Sequence, residues 1–426
     1  MNNEIKKRIE QINSGQVPEG YKKEHGFIAP KKWDIPTINK IVKATSRPVD
    51  KPKEGYWRLG IRSHAKGTFH TFVENPETVA MDELYKVKEN DLVLNITFAW
   101  EHAIAVANKE DEGKLVSHRF PTYEFKPDSV AGFYKYVIVQ PRLREMLCNI
   151  SPGGAGRNRV LNKTDFLKLN IPKPPKTEQH NIAEILSNCD RVIELKENLL
   201  TEKQNQKTWL MQRLLTSEIR LKGFSGEWKE TKLGKIATVI MGQSPDSSCY
   251  NSKNEGLPLI QGNADCKNRK TLPRFFTTHI TKECEINDII ITVRAPAGYI
   301  SMSGHKACIG RGVAAIRPKQ SVKYLFQYLL LEEKNWCKLS QGSTFDSINS
   351  DDIKNLKIKM PKETEQEAIA EILSTADKGI DLLQKEIDEY KQLKKSLMQL
   401  LLTGVVRVNE LEINNKPHKE QEVQAC

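Results

Sequence analysis

The sequence predicts a mixed α/β fold: two α/β domains separated by two long helices packed as an antiparallel coiled coil, written as a pseudo-twofold internal repeat. Three observations predict it. First, the words Thr177-Glu178-Gln179 and Ile182 to Ser187 recur as Thr364-Glu365-Gln366 and Ile369 to Ser374, at an offset of 187 residues. The match runs without a gap from Asp165–Thr216 to Asp352–Thr403, with 24 identities in 52 positions. Second, both copies carry apolar residues at alternating three- and four-residue steps, the seam of a coiled coil. Third, two stretches rich in short apolar runs, residues 31–164 and 231–350, flank the helices. Runs of that kind read as buried strands.

The elements follow in chain order. Residues 1–164 are an N-terminal lead-in and a first α/β block, with Asp91–Phe98 and Gly132–Val139 read as strand-like runs and Ser129–Cys148 as helical. Residues 165–222 are a central helical spacer. Proline is incompatible with a helix interior, so Ile171-Pro172-Lys173-Pro174-Pro175 marks the boundary, with Thr177 as N-cap and a stop before Gly223. Its seam is Ile182, Leu186, Ile193, Leu200, Leu210 and Leu214; lysines at 196, 203 and 207 weaken it, or it shifts through Leu195 and Leu199. Residues 223–350 form the second block, with strands at Asp288–Val293 and Gly312–Ile316 and a helix at Val322–Leu331. Trp33 and Trp228 open the two blocks in the same way, each after a glycine-rich lead-in. Residues 351–408 are the C-terminal helical spacer, starting after Met360-Pro361, with Thr364 as N-cap and Gly404 as stop. Its seam is Ile369, Leu373, Ile380, Leu383, Ile387, Leu397 and Leu401, interrupted at Lys394. At 1.5 Å per residue, ~35 residues span roughly 50 Å. The polar tail, 409–426, is expected to be disordered.

The 426 residues carry 66 Lys+Arg and 54 Asp+Glu, a net charge of +12. Residues 31–164 hold 22 basic and 16 acidic side chains and residues 231–350 hold 16 and 9, so the blocks carry +6 and +7 and the rest −1. A charge serving only solubility has no reason to divide in this way. Two basic modules on a neutral spacer predict two contacts with one phosphate polymer. No run of about 18 apolar residues exists to cross a membrane. The polar start, Met1 to Glu10, lacks a secretory apolar stretch and predicts a cytoplasmic chain. The eight cysteines contain no Cys-x-x-Cys pair, which argues against a zinc knuckle or disulfide framework.

The layout of block, helix, block, helix, with duplicated TEQ…IAEILS…D…LMQ helices, resembles the specificity subunit (HsdS) of type I restriction–modification systems. So do Gly20-Tyr21-Lys22-Lys23, the string Gly113 to Pro121, Val293 to Gly298 and Cys308 to Ile316. The resemblance covers nearly the whole chain. It implies that each block is a target recognition domain reading one half of a bipartite, asymmetric DNA site, with no catalysis in this chain. It implies two methyltransferase subunits near the helices and two motor–nuclease subunits for cleavage. S-adenosylmethionine, Mg and ATP would belong to those partners, leaving no cofactor or metal here. Helix length would set the gap between half-sites, one DNA turn being about 34 Å.

Lys and Arg make most phosphate contacts, and Arg, Lys, Asn and Gln read base edges. In the second block these expectations fall on Gln261, Asn263, Arg294 and Arg311, with Lys306 on phosphate. The alternatives are a turn cap for Gln261 and Asn263, and a salt bridge or turn scaffold for Arg294 and Arg311. In the first block Arg58 and Arg62 occupy the matching place, followed by Lys114, His118, Arg119 and Trp100, the last either core or base stacker. Arg157 and Arg159 in Gly153–Arg159 combine flexible backbone with positive charge. That string lacks the Gly-Lys-Ser/Thr ending of a P-loop and reads as phosphate contact or hinge.

Three other classes are weaker. Pro245-Asp246 with Asp265-Cys266-Lys267 fits the loose Pro-Asp…Asp-x-Lys pattern of metal-dependent nucleases, but such triplets arise by chance in so charged a chain. A methyltransferase needs an Asn/Asp-Pro-Pro-aromatic motif, which Asn75-Pro76-Glu77-Thr78 is not. The charge confined to the blocks argues against a coiled-coil scaffold without nucleic acid.

Overall fold

In a computed structural model of the chain, the described residues are 3–153, 159–336 and 347–410. They fall into two compact units. One takes the residues up to Glu194 and from Asp388 onward, the other Leu195–Ile387. Each unit therefore holds one block, the start of one long helix and the end of the other. No helix among the described residues is long and apolar enough to cross a membrane.

The first unit contains the hairpin Tyr21–Glu24 and Phe27–Pro30 and two larger sheets. Strands Val42–Thr45, Thr122–Phe125, Leu92–Leu94 and Ile104–Val106 lie side by side in that order, all antiparallel. The other sheet has the order Pro48–Asp50, Glu83–Lys86, Leu115–Val116, Tyr56–Ile61, Thr68–Val73, with one parallel pair, Leu115 opposite Arg58. Leu59, Ile61 and Val116 face Val93, Ala103 and Ala105 across a shared core. A second core joins Trp33, Ile41, Leu94, Tyr123, Phe133 and Tyr134 to Ile182 and Leu186 of the first long helix and Leu401 and Leu402 of the second. Each such large side chain contributes roughly 1.5–3 kcal/mol by burial.

The second unit repeats the core of this plan, with two strands added to its first sheet and the outer strand Tyr250–Asn251 of its second sheet on the edge opposite to that of Pro48–Asp50. Its first sheet runs Ala237–Met241, Val313–Pro318, Ile289–Thr292, Ile300–Met302, extended by Lys270–Thr271 and Cys266–Lys267. Its second runs Tyr250–Asn251, Phe275–Thr277, Leu257–Ile260, Ala307–Ile309, Glu283–Cys284, again with one parallel pair, Leu259 opposite Cys308. The two lead-ins also share a register. Asp34 and Thr37 bridge Lys173 and Asn170, while Lys229 and Lys232 pair with Met360 and Lys357. The proline-containing stretch before each long helix is thus a strand partner of the residues after each tryptophan. Trp33 is fully buried and Trp228 only half-buried.

The long helices run Lys176–Leu214 and Glu363–Leu402. Contacts repeated in both units explain the duplicated words. Glu178 accepts hydrogen bonds from Arg407 (2.6 Å) and Trp33 Nε1 (3.0 Å). Glu365 accepts them from Arg220 (2.7 and 2.8 Å), which stands 187 residues before Arg407. Gln179 and Gln366 donate to the carbonyls of Pro174 (2.8 Å) and Pro361 (3.0 Å). Asp190 pairs with Lys394, and Asp377 with Lys207 at 2.5 Å. Each aspartate is also bonded by its own block, through Tyr136 (2.7 Å) and Gln327 (2.6 Å).

These pairs correct the reading of the lysines. Lys394 and Lys207 interrupt the apolar seam because each meets an aspartate of the facing helix, and Lys196 likewise meets Glu386 (2.7 Å). A seam shifted through Leu195 and Leu199 does not form: they are 58% and 47% exposed. Ile182, Leu186, Ile193, Leu214, Ile369, Leu373, Leu383, Ile387 and Leu401 are buried, while Leu200, Leu210, Ile380 and Leu397 are half-buried. Thr177 and Thr364 are not N-caps, because each helix begins one residue earlier. The first helix ends well before Gly223. Ser217 (φ 63°) takes the left-handed position that Gly404 (φ 69°) takes in the second copy. Ser129–Cys148 is two helices, Ala131–Val137 and Pro141–Asn149, because Pro141 starts a new helix and cannot sit inside one. The run Gly132–Val139 is not a strand: its residues up to Val137 lie in the first of these helices. The expected tail begins with order: Glu410 lies in a short turn held by Arg8 (2.7 and 2.9 Å), and residues 411–426 lie outside the described ones.

Candidate nucleic-acid interface

In the second block, four loops meet at one exposed junction. Gly310 N donates to the Ile260 carbonyl (2.8 Å), Gln243 N to the Ile309 carbonyl (2.9 Å) and Gly242 N to the Val313 carbonyl (3.0 Å). Arg311 N donates to Ser244 Oγ (3.0 Å), and Val293 N to the Gly312 carbonyl (2.9 Å). The approach is close enough to demand glycine. A Cβ on Gly312 would overlap the Gln261 carbonyl, and one on Gly242 the Gly310 carbonyl. Gln261, Asn263, Arg294 and Arg311 all stand on these loops, so the structure brings these four together.

Their side chains hold no hydrogen bond or ion pair among the described residues, and neither does that of Gln243. Other arginines of the block are tied to carboxylates. Arg269 holds Glu333 (3.0 Å), Arg274 holds Asp265 (2.8 Å) and Arg317 holds Asp288 (2.8 Å). Lys306 belongs with this second group and not at the junction. It stands between Glu283 (3.3 Å) and Glu285 (3.0 Å), whose hydrogen bonds raise its pKa, so its charge is met locally. The two aspartates of the nuclease-like pattern are engaged as well. Asp246 accepts from Ser248 N and Oγ (2.9 and 2.7 Å), and buried Asp265 accepts from Arg274 and from Gln261 N (2.8 Å). Among the described residues, no three His, Cys, Asp or Glu side chains gather as a metal site.

The parallel strand pairs align the two blocks. Setting Arg58–Leu115 on Leu259–Cys308 places Leu59 on Ile260 and Val116 on Ile309, all facing the core. Arg62 then falls on Asn263, and His118 on Arg311. Arg58, Lys114 and His118 have no side-chain partner among the described residues. Arg62 donates to the Thr68 carbonyl and lies over the Phe69 ring, 5.1 Å from its centroid. Among the described residues Arg119 reaches only Thr97 Oγ1, at 3.5 Å. Arg159 covers Trp100, which is half-buried and bonds the Thr97 carbonyl through Nε1 (3.1 Å). Arg157 lies outside the described residues.

Sequence reasoning missed Gln243 and Ser244. Their one signal was Gly242-Gln243-Ser244-Pro245, a turn string that drew notice only for the adjacent aspartate. The blocks' divergence in sequence also hid the register that now aligns them.

Comparison with known proteins agrees with this picture. The profile of a family described as "Type I restriction modification DNA specificity domain" matches residues 30–203 and 225–392. A putative type I restriction enzyme MjaX specificity subunit of Methanocaldococcus jannaschii is 30% identical over 414 residues, covering 92% of this chain and 97% of the relative. The MjaVIII specificity subunit of the same organism is 26% identical over 432 residues, with coverage of 92% and 97%. Among solved structures, the HsdS subunit from Thermoanaerobacter tengcongensis aligns with a TM-score of 0.51 at 24% identity, covering 90% of this chain and all of that one. The S subunit of a type I system from M. genitalium aligns at 0.57 and 16%, covering 91% and 99%. Both are likenesses of fold. The doubled α/β-block-and-helix plan is thus that of a known class of DNA specificity domains. The chain belongs to the type I restriction–modification specificity family. Its place there is that of the specificity subunit, the non-catalytic component that recognises sequence.

Proposed function

We propose that this chain binds duplex DNA with its two blocks, each reading one half of a bipartite, asymmetric site, and so directs adenine methylation or cleavage by partner subunits. The observation that carries this reading is that each block bears side chains with no partner among the described residues: Arg58, Lys114 and His118 on and beside the parallel strand pair of the first, and Gln261, Asn263, Arg294 and Arg311 on the joined loops of the second, with His118 and Arg311 at one register. The blocks also hold the whole positive excess of the chain. A base edge needs a donor or acceptor that is not already satisfied, and a guanidinium paired with a buried carboxylate is not available to guanine. Arg62, Arg119 and Arg159 serve as phosphate contacts at the rim. The domains keep the boundaries 1–164, 165–222, 223–350 and 351–408.

The partners are two methyltransferase subunits, which bring S-adenosylmethionine, and two motor–nuclease subunits, which bring Mg and ATP. The setting is the cytoplasm. The test is selection from a random duplex library by the full chain with its methyltransferase partner, followed by binding at rising salt. The expected result is an interrupted consensus, with affinity falling by roughly three orders of magnitude between ~50 and ~200 mM salt. Binding that is indifferent to both sequence and salt would reject the reading.

A further inference from the structure

We propose that Gln243 is a specificity-determining residue of the second block, reading an adenine edge beside a guanine read by Arg311. This rests on the DNA-reading role proposed above and names the groups that execute it in one half-site.

The backbone of Gln243 is fixed from both sides. Its N–H donates to the Ile309 carbonyl at 2.9 Å, and its carbonyl accepts from the Thr281 hydroxyl. The next residue receives the Arg311 N–H on its hydroxyl, Ser244 Oγ, at 3.0 Å, so the two tips are tied to one another. Gly242 and Gly312 remove the side chains that would hold these loops apart. Freedom is thereby left to the Gln243 and Arg311 side chains alone. Both are exposed and neither has a hydrogen bond or ion pair among the described residues. Their chemistries fit base edges: the glutamine amide offers one donor and one acceptor, matching adenine N7 and N6–H, and the arginine fork matches guanine O6 and N7.

The first block has nothing comparable at this place. The shared register of the lead-ins, carried on through the strands Val42–Thr45 and Ala237–Met241, sets Arg47 on Gly242 and Pro48 on Gln243; Pro48 has no amide side chain, and Arg47 is committed to Asp91 (2.5 and 3.1 Å) and Glu124 (2.6 Å). The amide at 243 is therefore peculiar to one half-site, as a specificity residue of an asymmetric target must be.

The experiment is duplex selection with the wild-type chain, Gln243→Ala, Arg311→Ala and Arg311→Lys, each with the methyltransferase partner, alongside thermal melts to compare folding. Wild type selects an interrupted consensus. Gln243→Ala keeps the melting temperature and relaxes one adenine position of one half-site, weakening the preferred duplex by roughly 5- to 150-fold against its single-base variants. Arg311→Ala does the same at a neighbouring guanine, and Arg311→Lys retains charge without restoring the preference. A Gln243→Ala consensus identical to wild type, or uniform weakening on every duplex, overturns the inference while leaving the DNA-reading role standing. A wild type that selects nothing overturns both.

Discussion

In the first block Asn90 turns left-handed (φ 67°), Asp91 receives the Lys88 N–H at 2.8 Å, and Asn90 N reaches the Ala107 carbonyl. In the second block Asn287 (φ 69°), Asp288 with the Glu285 N–H at 2.8 Å, and Asn287 N with the Ser303 carbonyl make the same turn. Both aspartates are then neutralised by an arginine, but from different places: Arg47 in the link after strand Val42–Thr45 and Arg317 in strand Val313–Pro318. The frames agree down to a turn; the side chains filling them do not. At the loop tips the divergence is complete, with Arg62 and His118 standing where Asn263 and Arg311 stand. Strand order and register are what burial selects, because a slip of one residue would turn the core face to solvent. The tips face outward and are free to differ, as two readers of two different half-sites require.

Replacing the opening tryptophans strains this comparison most. Trp33 is fully buried and bonded to Glu178, so Trp33→Ala is expected to cost about 3–5 kcal/mol in denaturant unfolding. Trp228 is half-buried and its Nε1 has no partner among the described residues, so Trp228→Ala is expected to cost about 1–2 kcal/mol. Equal losses would mean that the two lead-ins are more alike than their contacts imply. A smaller effect sharpens the equivalence of the helices. Double-mutant cycles on Lys207–Asp377 and Lys394–Asp190 should give the same favourable coupling, about 0.5–1 kcal/mol, since all four groups are partly exposed. A coupling in one pair and none in the other would break the repeat at its centre.

Much of this was legible because duplication supplies its own control. The helices, their pairing seam and the block boundaries are written twice, and two copies separate pattern from accident. The seam lysines at 207 and 394 were misread because a period counts apolar residues and cannot see an aspartate on a facing helix. The helix at Gly132–Val139 was confused with a strand because a short apolar run lacks the length to declare its period. The candidate contacts were legible only as residue types. Whether an arginine is free or already satisfied depends on partners distant in sequence, as with Arg269 and Glu333 or Lys306 and its two glutamates. Gln243 stayed invisible because its position rests on backbone contacts from residues 309 and 281, which no local string announces.

The central claim is that one frame, used twice, reads two independent half-sites. The direct measurement replaces residues 223–350 by the corresponding block of another specificity subunit and maps methylated adenines in cells carrying the exchanged chain and its methyltransferase partner. Independent reading predicts that one half-site changes to that of the donor while the other half-site stays as in the parent. A change in both halves, or in neither, would contradict it.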